Sequence, residues 1–180
     1  EPAAGGSADA VEVAIDESFD AFYPREFSGL TALAAATAGD RSMAEDLAQE
    51  ALTRVHKRWA TIGRYDKPGA WARRVTINLA LSARQRRTVE WKARLRLRRT
   101  EPVVALPASS GRHGDVWAGV AELPGQQRAA IALHYLEDRS AAEIAEILDC
   151  SPSTAKVHLH RGRAALHERL GASHTTGGPS

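Results

Sequence analysis

The chain holds a single cysteine, Cys150, in 180 residues, so no intramolecular disulfide can staple it. A reducing, intracellular setting is expected, with Cys150 as a small buried hydrophobe at a helix–helix turn rather than a sensor. No apolar run is long enough to span a membrane and there is no signal-peptide hydrophobic region, so a cytoplasmic protein with no membrane insertion is expected. No stretch of four or more residues alternates convincingly, which argues against a sheet. Also missing are a Gly-rich phosphate loop, a clustered nucleophile and base, and ligands at metal spacing. Catalysis, a cofactor and a metal site are therefore not expected. His158 and His160 have no carboxylate or cysteine at metal spacing, and His134 and His167 read as surface or cap residues.

What is present is helical periodicity with explicit start signals. Apolar residues Phe19, Phe22, Tyr23, Phe27, Leu30 and Leu33 predict a helix over 19–37, with Pro24 a local disturbance. Gly39-Asp40 is a turn, and Ser42 with Glu45 suggests a capping box. Over 42–59, Met43, Leu47, Ala51, Val55 and Trp59 recur every four residues, with a polar face opposite. A loop is expected over 60–67. From Pro68 a third helix would bury Trp71, Val75 and Leu79 and expose Arg73, Arg74, Asn78 and Arg84.

Net charge is only +2, but its distribution is uneven. Residues 84–99 carry eight Arg or Lys against one Glu. Such a run suits a polyanion, although a solvated helix would look the same. The two prolines and Ser-Ser-Gly of 100–114 read as a linker. Short helices are expected over 115–123 and 126–136.

Residues 140–163, SAAEIAEILDCSPSTAKVHLHRGR, read as a helix-turn-helix. Ser140 and Glu143 form a capping box, and Ile144, Ala145 and Leu148 a buried stripe. Asp149-Cys150 breaks the pattern. Ser151 caps a second helix whose first residue is Pro152, and which buries Ala155 and Leu159. The fold class expected is all-α: two small helical domains joined by a flexible linker, the second a helix-turn-helix of the winged-helix-like superfamily. The boundaries are a disordered segment 1–16, a first domain 17–99, the linker 100–114, a second domain 115–170 and a flexible tail 171–180.

Together these segments resemble the extracytoplasmic function (ECF) sigma factors of bacterial RNA polymerase. The likeness covers about residues 17–170. It rests on AEDLAQEALTRVHKRW, PGAWARRVTINLALSARQRR, ELPGQQRAAIALHYLEDRSAAEIAEIL and CSPSTAKVHLHRGRAALHERL, in the family's order. The resemblance implies a transcription initiation factor that binds core polymerase, directs it to promoters and helps melt them. The first domain would be region 2. Asp46, Gln49, Glu50, Leu52, Arg54 and Arg58 would meet the clamp coiled coil of the largest polymerase subunit. Tyr65, Trp71, Arg73, Arg74, Asn78, Arg84, Arg86 and Arg87 would bind the opened minus-10 strand. Asn78 would hydrogen-bond a flipped base, the aromatics would stack and the arginines would hold phosphates; the spacing of Trp71 with Val75 also fits a core residue.

The second domain would be region 4, binding duplex minus-35 DNA and the polymerase flap. Ser151, Ser153, Thr154, Lys156, His158, His160, Arg161 and Arg163 are its DNA candidates, with Lys156 and Arg161 the foremost base readers. An anti-sigma factor is an expected partner by analogy alone, and the tail after Leu170 is expected to be too short for a folded regulatory domain. Four positions depart from the family pattern: Ser82, where Asp is frequent; His158, where Arg or Ser is common; Asp149, where Gly is frequent; and Gly162, which replaces a usual Ala. The competing reading is an autonomous helix-turn-helix transcription regulator, which would bind duplex DNA as a dimer without polymerase.

Overall fold

The computed structural model describes residues 18–97 and 112–175. The described residues form eight α-helices: α1 Phe19–Ala38, α2 Ala44–His56, α3 Trp59–Ile62, α4 Pro68–Leu97, α5 Arg112–Ala121, α6 Gly125–Glu137, α7 Ala141–Leu148 and α8 Pro152–Thr175. No strand occurs among them. The segment 1–16, residues 98–111 of the linker region and 176–180 of the tail lie outside the described residues.

Local chemistry sets most helix ends. The Ser18 hydroxyl accepts from the Ala21 amide at 3.3 Å and starts α1. Gly39 ends it at φ +70°, a left-handed conformation that lets its N–H reach the Ala35 carbonyl. The start of α2 differs from expectation. Ser42 does not cap it: the Asp40 carboxylate accepts from the Ser42 amide at 2.9 Å and the Ser42 hydroxyl at 2.8 Å, and so caps a preceding turn. That local turn winds Arg41–Met43 into a 3-10 turn, and α2 begins only at Ala44. Part of the expected loop 60–67 is the single turn α3.

Helices α1, α2 and α4 enclose the first core. Phe22, Leu30, Ala48, Leu52, Val55, Ile62 and Ala72 form one cluster, with Ala34, Ala38, Leu47, Ala80 and Ala83 beside it. The buried stripe of α4 is rotated from the expected one. Ala72, Arg73, Thr76, Ile77, Ala80 and Ala83 are buried, whereas Trp71, Val75 and Leu79 are only partly so. The cause is that α4 is covered on two sides, by α1 and α2 and also by α7.

The second core joins Val120, Leu123, Ala129 to Leu133, Ile144, Ala145, Ile147, Ala155 and Leu159. It also takes in Leu33 of α1 and Ile77 of α4. The two domains therefore share apolar surface, with α6 against α1 and α7 against α4.

Helix α8 crosses α6 closely at Gly162. A Cβ there would lie 2.8 Å from Cγ1 of the buried Ile131. Gly in a helix interior costs about 1 kcal/mol relative to Ala, but here the missing methyl is the space that Ile131 occupies. Gly162→Ala is expected to leave stability unchanged or lower it in urea unfolding. In an Ile131→Ala background the same substitution should become stabilising. A stabilised Gly162→Ala single variant would contradict this packing.

Candidate nucleic-acid interface and docking face

The outer face of α2 is polar because its inner face is spent on the core. Asp46, Gln49, Glu50 and Arg54 are exposed, as is Arg58 just beyond the helix end. Glu50 and Arg54 pair at 2.8 Å, both about half exposed, a contact worth only tenths of a kcal/mol. Leu52, expected beside this face, is instead fully buried among Phe22, Leu30 and Val55. It supports the face from beneath and is not available to a partner in this conformation.

Tyr65, in the turn before α4, is 48% exposed, and Trp71 is partly buried against the first core. Both line a cavity of about 480 Å³ with Arg64, Lys67, Arg74 and Glu146. One wall, Glu146, comes from α7 of the second domain. Asn78 is exposed one helical turn beyond Arg74, outside the cavity lining.

The arginines of α4 do not act as one set. Arg73, expected to be exposed, is 8% exposed and sits between two carboxylates. Its Nη1 donates to Glu26 of α1 at 2.8 Å and to the Gly69 carbonyl at 3.0 Å. Its Nε donates to Glu137 at the end of α6. Arg139 extends the chain, 3.5 Å from Glu137 and 2.9 Å from Glu143.

Arg74 reaches the C-terminal end of α7. It donates to the Ile147 carbonyl at 3.0 Å and the Glu146 carbonyl at 2.6 Å, where the helix dipole favours a cation. Its Nη2 also lies 3.3 Å from the Asp149 carboxylate. Lys67 pairs with Glu146 at 2.7 Å, which raises the lysine pKa. Arg84 donates to the Ala38 carbonyl at the end of α1, and Arg87 pairs with Asp40. Arg86 is exposed.

The helix-turn-helix forms from the expected signals. Ser140 and Glu143 cap each other reciprocally. Asp149 turns the chain at φ 58°, and the Ser151 hydroxyl accepts from the Thr154 amide at 3.1 Å. Ser151, Ser153, Thr154, Lys156, His160, Arg161 and Arg163 are exposed, whereas His158 is half-buried. Sequence reasoning missed Tyr135. Its hydroxyl accepts from Arg163 Nε at 3.1 Å and its ring lies 5.7 Å from the guanidinium. The only available signal was an aromatic residue at the polar end of α6, and its partner lies 28 residues away. Among the described residues no group of His, Cys, Asp and Glu could hold a metal.

Glu143 also carries a pH signature. Hydrogen bonds from the Ser140 amide and hydroxyl, then Arg139, lower its pKa from 4.5 to about 2. A depressed folded value stabilises the fold above the unfolded pKa and loses that contribution as pH falls through about 4.5 toward 2. Between pH 5.5 and 2.5, within roughly that window, the urea midpoint should fall more for the parent protein than for Glu143→Gln. Parallel falls would contradict this account.

The Sigma-70 region 2 family matches residues 25–89, and the family described as Sigma-70, region 4 matches residues 113–166. The RNA polymerase sigma-E factor of Streptomyces coelicolor is 36% identical over 135 residues, 71% of each chain. The ECF RNA polymerase sigma factor SigM of Mycobacterium tuberculosis is 30% identical over 159 residues, 88% of this chain and 80% of that one. In structure, the chain resembles the sigma factor RpoE of Bartonella quintana, solved in complex with the anti-sigma factor NepR. The TM-score is 0.68 at 25% identity, covering 84% of this chain and 96% of that one. Neither domain alone reaches that share, so the likeness spans both.

Proposed function

Because the chain belongs to the extracytoplasmic function sigma factors of bacterial RNA polymerase, and so is a non-enzymatic subunit of transcription initiation, we propose how its surfaces divide that work. The exposed α2 face of Asp46, Gln49, Glu50, Arg54 and Arg58 docks on the polymerase clamp coiled coil. The α4 face of Trp71, Arg74 and Asn78, with Tyr65, takes the opened minus-10 strand. Helix α8 enters the major groove of the minus-35 duplex, and the second domain meets the polymerase flap. The place of work is the cytoplasm, where polymerase and promoter meet.

The observation that carries this reading is the placement of Trp71, Arg74 and Asn78 along one face of α4, leading from the Tyr65 cavity to open solvent. An exposed amide beyond an aromatic-lined cavity suits an unstacked base, which stacks on a ring and pairs along its edge. Two carboxylates line that cavity, Asp66 and Glu146, and would repel a phosphate. Glu146 belongs to the second domain and leaves with it, whereas Asp66 stays beside Lys67 and Arg64.

Dimensions support an opening step. A folded chain of this length is about 40 Å across, whereas elements 25 base pairs apart on duplex DNA are separated by about 85 Å. The closed chain cannot reach both. Residues 98–111 extend to at most about 50 Å, enough to let the domains part. Opening would release Arg74 from the carbonyls of α7, so that it could hold a backbone phosphate, whereas Arg73 would keep Glu26 of its own domain. An anti-sigma protein is a further expected partner, supported by the relative solved with one and similar across both domains.

The test is transcription by core polymerase, with and without the chain, from a pool of promoter fragments. Specific start sites are expected. Asn78→Ala should lower initiation about tenfold, as loss of one base-edge hydrogen-bonding contact worth ~1–3 kcal/mol would, while leaving core binding intact. Asp46→Lys should do the reverse, weakening core binding without changing the melting temperature. A chain that neither binds core polymerase nor directs initiation, yet binds duplex DNA alone as a dimer, would overturn the reading in favour of an autonomous regulator.

A further inference from the structure

The outermost ridge of α8 has an apolar centre. Val157 is 44% exposed, although the helix around it is polar and basic. It lies two residues after Ala155, which is 0% exposed, and two before Leu159, which is 5% exposed. At about 100° per residue, Val157 is therefore roughly 160° around the helix from each of the side chains that fix α8 to its core. Ser153 stands one turn before it, His160 and Arg161 one turn after, and Ala164 two turns after, all exposed. The valine is thus at the middle of the ridge that a groove would meet first.

Nothing in the fold calls for valine there. It packs in none of the hydrophobic clusters, and a β-branched residue is a poorer helix former than the Lys, Glu or Gln that a solvated position accommodates. The flanking Lys156, His160 and Arg161 make the ridge suited to a polyanion. Within a major groove one chemical feature matches an isolated apolar side chain, the C5-methyl group of thymine. The ridge is also held in place. The Ser151 cap fixes the start of α8, and Gly162 seats it directly on Ile131, so the Val157 methyls occupy a set position.

We propose that Val157 is a specificity-determining residue that reads one thymine of the minus-35 element by packing against its C5-methyl group. The proposal rests on the reading of α8 as the duplex-binding helix. It adds an apolar contact to the polar set of Lys156 and Arg161, and it identifies the base that contact selects. Serine at this position would keep the helix and its exposure but could not bury a methyl group.

The experiment uses the full chain bound to core polymerase on a promoter recovered by selection. Each thymine of the upstream element is replaced in turn by deoxyuridine, which removes only the methyl group. At one position binding should weaken about fourfold, the effect of exposing one buried carbon. In Val157→Ser the thymine and uracil promoters should bind equally, at the level of the parent on uracil, with core binding unchanged. Lys156→Ala should weaken both promoters alike and keep the ratio between them. The proposal is overturned if the selected element contains no thymine, if no thymine shows a methyl effect, or if the effect persists in Val157→Ser. Binding that is indifferent to the whole upstream sequence would instead bring down the reading of α8 on which the proposal rests.

Discussion

Arg73 is the interaction on which the arrangement of the two domains depends. One guanidinium, almost entirely buried, is held by Glu26 from the first domain and Glu137 from the second. Charges this far from water are tolerated only with their partners in place. Removing one partner of a buried pair costs about 3–5 kcal/mol, because the others stay behind uncompensated. The apolar contact of Leu33 and Ile77 with the second core supplies non-directional attraction. The ion cluster adds direction. It joins α1, α4 and α6 at one point, and the adjacent Arg74 fixes the end of α7.

That geometry has a consequence for function. The same face of α4 carries both the contacts that close the molecule and the groups proposed to bind the opened strand. Arg74 cannot serve both at once. Any ligand that favours the open form does so by its differential affinity for it, and core polymerase together with promoter DNA would supply that difference at two separated sites. A partner that binds both domains as they now sit would favour the closed form by the same rule. The ion cluster thereby links the packing of the chain to the choice between partners.

Much of this was legible in the sequence where the cause is local. Ser140 with Glu143, Ser151 with Pro152, and Gly39 all start or end helices as their chemistry dictates. The period of α2 correctly separated its core face from its polar face. The failures came where a distant segment decides. Ser42 did not cap α2 because Asp40, two residues earlier, caps the 3-10 turn Arg41–Met43 and takes both the Ser42 amide and hydroxyl, so that α2 starts without a side-chain cap. The buried face of α4 was misread because a second domain covers it, and Arg73 was placed in solvent because Glu26 and Glu137 lie 47 and 64 residues away. Leu52 was assigned to a partner by family likeness, although its position in the helix period belongs to the core. Tyr135 and Val157 gave no periodic signal at all; each stands out only when its exposure and neighbours are known.

The most direct test is the separation of the two domains in solution. Spin labels on cysteines introduced at the exposed Gln85 of α4 and Glu168 of α8, in a Cys150→Ser background, would report it by pulsed dipolar spectroscopy. For the free chain the account predicts one narrow, short distance, broadened by Arg73→Ala. In the complex with core polymerase and promoter DNA it predicts a distance longer by tens of ångströms, in keeping with elements about 85 Å apart. A transcribing complex in which the free-chain distance persists would contradict it.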